Sequence, residues 1–162
     1  MKPSESEITS LALKLLYIGL GIDVAGAVIL FFGGISLADR GLRGDVEIES
    51  LQILGYVLLA VAVIELLVVV VLKKKWLYAG SDILSRAKSY KQLSSQLVVL
   101  HIILYFVALS PAIYGFLYYM LGGDQQQFVL MACLTLIGYM MVRPRPQKIA
   151  DLINGHDYGE DE

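Results

Sequence analysis

Three ionisable side chains lie within long apolar stretches of the chain: Asp23, Glu65 and His101. Charged groups at membrane depth cost about 2.5–3.5 kcal/mol on insertion scales, so they usually face other helices and mark function. Two carboxyls with an imidazole have the chemistry of a proton or cation relay. Two other interpretations stay open: the three groups fix helix register by hydrogen bonds, or Glu65 contacts a partner subunit, because Val61 and Val69 beside it suit lipid.

Their heights in the membrane can be estimated from the sequence. At a rise of about 1.5 Å per residue, Asp23 lies roughly 13 Å after Lys14, Glu65 roughly 10 Å before Leu72 and His101 roughly 6 Å after Leu97. These reference residues mark the ends of the three spans that are expected on the same side of the membrane. We therefore expect all three at similar depth. Asp23 also shares a helix face with Gly19 and Gly26, which predicts that it points into the protein rather than towards lipid.

Four apolar runs carry these residues: Leu15–Leu37, Leu51–Leu72, Leu97–Leu121 and Phe128–Val142. A helix needs about 20 apolar residues to cross a bilayer, which offers no partners for open backbone groups. Hydrophobic residues make up 57% of the chain and charged residues 17%, unlike a soluble domain. The sequence predicts an all-α integral membrane protein, one domain over 1–162 with four transmembrane helices in an up-down bundle, at about 14–37, 51–72, 97–121 and 125–142.

The basic residues set the expected orientation. Eleven of them lie in the N-terminal segment, the second loop (73–96) and the tail, against two, Arg40 and Arg43, in the first and third loops. Basic segments stay on the cytoplasmic side, which predicts a multi-pass protein of the inner (cytoplasmic) membrane with both termini cytoplasmic. Within 73–96, helical spacing of apolar residues predicts an amphipathic helix (Ile83, Leu84, Ala87, Tyr90, Leu93). The acidic tail 154–162 is predicted to be flexible.

Small residues at helical spacing predict where the helices pack, because membrane helices approach most closely at such positions. Pro111 is expected to kink the third span, since proline leaves the carbonyl of Val107 without its donor. The predicted packing residues are Gly19, Gly26 and Gly33 in the first span and Ala108, Ala112 and Gly115 in the third.

No catalytic constellation or phosphate-binding loop stands out in the sequence. One histidine within a span and the single Cys133 are too few for a typical metal site, so we expect no metal and no cofactor, and the net charge of −2 points to no nucleic acid. We expect a non-catalytic protein of the lipid bilayer, an accessory or small subunit of a larger membrane assembly or a homo-oligomer. The alternative is a proton- or cation-translocating transporter or channel protomer that uses Asp23, Glu65 and His101; an enzyme is the least favoured class.

Three motifs stand out over about 97–153: Ser110-Pro111-Ala112-Ile113-Tyr114-Gly115-Phe116, then Leu121-Gly122-Gly123-Asp124, then Val142-Arg143-Pro144-Arg145-Pro146-Gln147-Lys148-Ile149-Ala150-Asp151-Leu152. In these motifs the second half of the chain resembles a group of small uncharacterised bacterial four-span membrane proteins. The resemblance implies the four-span architecture and no particular activity. A fainter similarity to rotary-ATPase proteolipid subunits lies in the Ala-Ile-Tyr-Gly run. The third span has no carboxylate, so a rotor-ring role is not expected.

Overall fold

A computed structural model describes residues 3–44, 48–77, 81 and 84–155. These residues form helices and no strands. One continuous helix begins the fold, in which a π-helical segment, Leu20–Ala25, separates α1 from α2. The α-helices are α1 (Glu5–Gly19), α2 (Gly26–Asp39), α3 (Ile48–Trp76), α4 (Tyr90–Met120), α5 (Gln125–Val142) and α6 (Pro146–Asn154).

Four continuous helical stretches are long and apolar enough to cross a membrane: Glu5–Asp39, Ser50–Trp76, Tyr90–Met120 and Gln125–Val142. The protein is therefore an all-helical, multi-pass membrane protein. The first helix begins well before the predicted position 14, because Ser4 and Glu7 form a capping box. The Glu7 amide donates to Ser4 Oγ at 3.4 Å, and the Ser4 amide donates to Glu7 Oε2 at 2.8 Å.

Helices α4 and α5 form the middle of the molecule. The first helix packs on one side of this pair and α3 on the other, and α4 contacts α1, the π-helical segment, α2, α3 and α5. A tight turn joins α4 to α5, in which Gly122 adopts φ +108° and its amide donates to the Tyr119 carbonyl. Only glycine adopts this conformation readily, so the turn brings α5 back alongside α4.

The two ends of the molecule are closed differently. At one end, which we call the Arg43 end, Arg43 Nη2 donates to the carbonyls of Gly122 and Gly123 at 2.8 and 2.6 Å, and the Gly44 amide donates to the Met120 carbonyl at 2.7 Å. The opposite end, the α6 end, holds an apolar cluster built from the start of α1, the start of α4, residues 84–87 and α6. Its buried members include Leu11, Leu15, Leu84, Leu97, Leu152 and Ile153.

The segment between α3 and α4 differs from the expected amphipathic helix. Residues 84–86 form a turn, and α4 starts only at Tyr90. Serine side chains account for this local structure, since they compete for backbone groups: Ser81 Oγ accepts from the Leu84 amide, and Ser89 Oγ caps α4 by accepting from the Gln92 amide. Leu84 and Ala87 are nevertheless buried. Ile83 lies outside the described residues.

The C-terminal segment contains a helix that the sequence reasoning missed. α6 starts with Pro146, whose absent N–H is not needed in a first turn, and it buries Ile149, Leu152 and Ile153 against α1 and the start of α4. The helix ends at Asn154, so the predicted flexible tail begins where α6 stops. Residues 156–162 lie outside the described part of the chain, and the prediction for them stays a prediction.

Candidate functional site

Two polar clusters lie within the spanning helices. We call Asp23, His101, Tyr105 and Tyr139 the interior cluster, and Glu65, Ser110 and Tyr114 the surface cluster. Asp23 and His101 both lie near Tyr105, whereas the hydrogen-bonding partners of Glu65 lie further along α4. Ser110 lies nine positions after His101 in α4, which corresponds to about 13 Å of helix. The expectation of similar depth therefore does not hold for Glu65.

The interior cluster is almost inaccessible. Exposed fractions are 0% for Asp23 and Tyr105, 2% for His101 and 9% for Tyr139. The Tyr105 ring lies 6.2 Å from both the His101 and Tyr139 rings, measured between centroids, and its phenol lies close enough to Asp23 to interact electrostatically. These four side chains thus form one buried polar group.

Gly19 makes this arrangement possible. A Cβ atom at Gly19 would lie 2.2 Å from Cζ of Tyr105 and 2.6 Å from its hydroxyl oxygen. The Tyr105 ring therefore lies directly against the backbone of the first helix, one turn before Asp23. The π-helical segment then carries Asp23 itself, and π-helical turns inside α-helices occur frequently at functional sites.

Hydrogen bonding within the interior cluster is incomplete. Nδ1 of His101 lies 2.8 Å from the Leu97 carbonyl, so this nitrogen carries the proton and donates it. Both carboxyl oxygens of Asp23 and the hydroxyl of Tyr105 are buried and have no hydrogen-bond partner among the described residues. Such groups keep the full cost of losing water, which makes this cluster the least satisfied polar part of the described fold.

In the surface cluster, by contrast, the carboxyl group has partners. Tyr114 donates its hydroxyl to Glu65 Oε1 at 2.7 Å, and Ser110 Oγ contacts Glu65 Oε2. Ser110 Oγ also lies 2.7 Å from the carbonyl of Val107, which Pro111 leaves without its usual donor. Glu65, Ser110 and Tyr114 are half-buried, so the cluster lies at the side of the molecule.

A serine hydroxyl has one proton, and it serves only one of these two acceptors. When Ser110 donates to Glu65, the Val107 carbonyl is left without a donor. When Ser110 donates to Val107, Tyr114 remains the hydroxyl donor to Glu65. The surface cluster thus links Glu65 to the helix backbone at Pro111.

Pro111 does not interrupt α4, which stays helical from Tyr90 to Met120. The Ala112 amide beyond the proline donates to Thr135 Oγ1 of α5 at 2.9 Å. Thr135 therefore ties α4 to α5 at the position where proline weakens the helix. The predicted packing residues Ala108, Ala112 and Gly115 are all buried in α4.

The glycines of the first helix agree with the prediction in part. Gly19 contacts Tyr105, and a Cβ on Gly26 would lie 3.3 Å from Leu109, as predicted packing residues should. A Cβ at Gly33 would meet no atom within 4 Å, whereas one at Gly34 would lie 3.1 Å from Phe128. The buried residues of α2 are Ala27 and Gly34, so Gly34 takes the packing position that the sevenfold spacing assigned to Gly33.

Among the residues that the structure describes, no three histidine, cysteine, aspartate or glutamate side chains come together as a metal site requires. The sequence singled out Asp23, Glu65 and His101 but not the hydroxyl partners of Glu65. A signal for them existed: Ser110 precedes a proline within a span, and Tyr114 follows one turn later.

No protein-family model matches this chain, and neither the curated proteins nor the solved structures contain a match.

Proposed function

We propose that this chain is a non-catalytic membrane subunit that associates laterally with another membrane-embedded chain through the side of α3 and α4. The observation that carries the proposal is the position of Glu65, a carboxyl within a spanning helix that is half-buried at the side of the molecule. Carboxyls within spans usually face protein or a water-filled cavity. A neighbouring span would remove Glu65 from lipid.

The hydrogen bonds of Glu65 leave room for such a neighbour. Ser110 and Tyr114 use one site on each carboxyl oxygen, and a carboxylate offers about four acceptor sites. A partner helix that presents a hydrogen-bond donor would complete the set. Hydrogen bonds between membrane helices are worth about 0.6 kcal/mol on average, so Glu65 contributes specificity more than affinity.

The surrounding surface suits a helix. Val61 and Val68 lie one turn from Glu65 on α3 and are 37% and 44% exposed, whereas Val69, which was expected to suit lipid, is fully buried. On α4, Phe106 and Ile113 flank Ser110 with exposed fractions of 56% and 36%. Each helix therefore offers an apolar stripe with the surface cluster at its centre. Association through this side would cover polar and apolar groups together.

We further propose that the four spans form an up-down bundle in the inner membrane with both termini in the cytoplasm. Support comes from the charge distribution, because the α6 end carries the basic segments. With Cys133 replaced by alanine, an impermeant maleimide applied to intact cells should label a cysteine at Arg40→Cys and not one at Ser89→Cys, while permeabilised cells should show both. External labelling of Ser89→Cys would contradict this orientation.

Lateral association is tested by site-specific photocrosslinking in the native membrane. A photoreactive residue at Val61 or Ile113 should give a discrete crosslinked product with one membrane chain. The same group at Ile29, which is 69% exposed on α2, serves as the matched control and should give none. Glu65→Leu should reduce the product at Val61 and Ile113 about threefold, the factor that corresponds to one such hydrogen bond, whereas Glu65→Gln, which keeps shape and hydrogen-bonding reach, should preserve it.

The outcomes separate the alternatives. A product of twice the mass of the chain would identify the partner as a second copy, and a product of another mass would identify an accessory role. Crosslinks to lipid alone at all three positions, with the purified protein migrating as a monomer, would refute lateral association.

A further inference from the structure

A cavity of about 620 Å³ lies at the α6 end, between the last turns of α3 and α5 and the start of α6. Its volume is in the range of small-molecule sites, roughly 300–1,000 Å³. Its polar lining is basic or imidazole: Lys73, Lys74, Arg143, Arg145, Lys148 and His101.

The positive charge of this cavity is not neutralised by its own lining. Among the described residues that line it, none is acidic. Lys73 donates to the carbonyls of Met141, Val142 and Arg143 at 2.6, 3.1 and 3.3 Å, so it caps the C-terminus of α5. The charges of Lys148 and Arg145 lie close enough to repel the Lys73 ammonium group. An anion in the cavity would relieve that repulsion.

A buried polar side chain also belongs to the wall. His101 is 2% exposed, and its Nδ1 is committed to the Leu97 carbonyl, which leaves the second ring nitrogen for another partner. In addition, α6 begins at the cavity with Pro146. The first-turn amides and the dipole of a helix N-terminus favour negative charge.

The remaining lining is apolar and lies at the edge of the membrane. Val70 and Met140 line the cavity near the ends of the apolar runs of α3 and α5, and Met140 is 63% exposed. The cavity thus combines a cationic part with an apolar wall at the level where hydrocarbon meets headgroups. A free inorganic anion would use only the cationic part.

We propose that this cavity binds the phosphate group of an anionic phospholipid, with Arg145 and Lys148 as its principal cations. Basic pockets between helices on the cytoplasmic side are suited to such headgroups. A phospholipid and free inorganic phosphate both offer a phosphate anion to these cations. The apolar wall of the cavity favours the phospholipid, because only the lipid also has acyl chains to place against it. This proposal is independent of lateral association, because Glu65 lies towards the middle of α3, away from the cavity.

The test compares purified full-length protein in nanodiscs of phosphatidylcholine alone, of phosphatidylcholine with phosphatidylglycerol, and of phosphatidylcholine with inorganic phosphate in solution. We expect phosphatidylglycerol to raise the thermal unfolding midpoint of the wild type and to be retained in native mass spectrometry. Arg145→Gln with Lys148→Gln should weaken this binding about 30-fold, the factor expected when two cations near an anionic surface are removed.

Lys88→Gln with Lys91→Gln is the matched control, since it removes two exposed basic side chains at the same end but outside the cavity. These control substitutions should leave lipid retention unchanged, and Glu65→Leu should do the same. Equal loss in the control pair would overturn the proposal in favour of general surface attraction. A shift with inorganic phosphate as large as that with phosphatidylglycerol would overturn the lipid as the source, and no shift with either would refute the site.

Discussion

The interior and surface clusters each place one carboxyl group inside the span region, but they treat it in opposite ways. Glu65 has a hydroxyl group against each carboxyl oxygen although lipid or a partner can still reach it. Asp23 is fully buried, and neither of its oxygens has a partner among the described residues. Buried polar groups are usually hydrogen-bonded, but here the more deeply buried carboxyl is the one without partners.

This difference indicates different roles for the two carboxyls. In the surface cluster each carboxyl oxygen of Glu65 has one hydroxyl partner within the chain, so Glu65 is held in place and can serve as a contact point for a neighbour. The interior cluster keeps a desolvation cost of roughly 1–3 kcal/mol for an unsatisfied group. A polar residue with such a cost, on a π-helical segment and near Tyr105, is a poor contributor to stability. Its contacts among the described residues therefore do not explain a carboxyl at this position.

The largest expected effect comes from the contact that holds the interior cluster together. Gly19→Ala places a methyl group 2.2 Å from the Tyr105 ring, and that ring is fully buried. Overpacking of this kind costs about 1–3 kcal/mol, and we expect a value near the upper limit because the ring has no free space to enter. Titration with SDS in mixed micelles measures the free energy of unfolding.

Gly21→Ala is the control for this substitution. It lies in the same helix, and a Cβ at Gly21 would meet no atom within 4 Å. The alanine should leave the free energy of unfolding unchanged or raise it by up to about 1 kcal/mol through helix propensity. If both substitutions destabilise equally, flexibility of the first helix matters there and the Tyr105 contact does not.

Much of the architecture follows from sequence, for physical reasons that can be named. Four apolar segments must become helices because a bilayer satisfies no backbone groups, and the four spanning helices are present. Asp124 precedes α5 and Arg143-Pro144 follow it, although the Asp124 side chain makes no capping hydrogen bond. The sequence did not predict α6, because a short helix that begins with a proline depends on burial of Ile149, Leu152 and Ile153 by distant segments.

The candidate site was predictable only in part. Membrane depth identifies Asp23, Glu65 and His101 from sequence, because ionisable groups are rare there. The position of Asp23 depends on the π-helical segment that carries it, and no regular sequence period encodes such a segment. The surroundings of Glu65 depend on which hydroxyl groups α4 turns towards α3, and the positions of Ser110 and Tyr114 relative to Glu65 follow from packing.

Two smaller changes in the free energy of unfolding are expected to have opposite signs in the two clusters. Together they test most directly whether the two carboxyls differ in their contribution to stability. Asp23→Leu keeps the branching of the side chain and removes two unpartnered oxygens, so it should raise the free energy of unfolding by about 1–3 kcal/mol. Asp23→Asn keeps polar atoms that still need partners and should gain much less. Both are measured by the same SDS titration.

Glu65→Leu should instead lower the free energy of unfolding, by about 1 kcal/mol, since it removes two hydrogen bonds between α3 and α4 that are worth about 0.6 kcal/mol each. Tyr114→Phe should remove about half of that amount, because only one of the two bonds is lost. If Asp23→Leu destabilises the protein as Glu65→Leu does, then Asp23 has a partner that stabilises it and the two carboxyls serve the same structural purpose. If Asp23→Leu raises the free energy of unfolding and Glu65→Leu lowers it, the protein retains Asp23 at a cost in stability. Selection for folding alone does not explain such a residue.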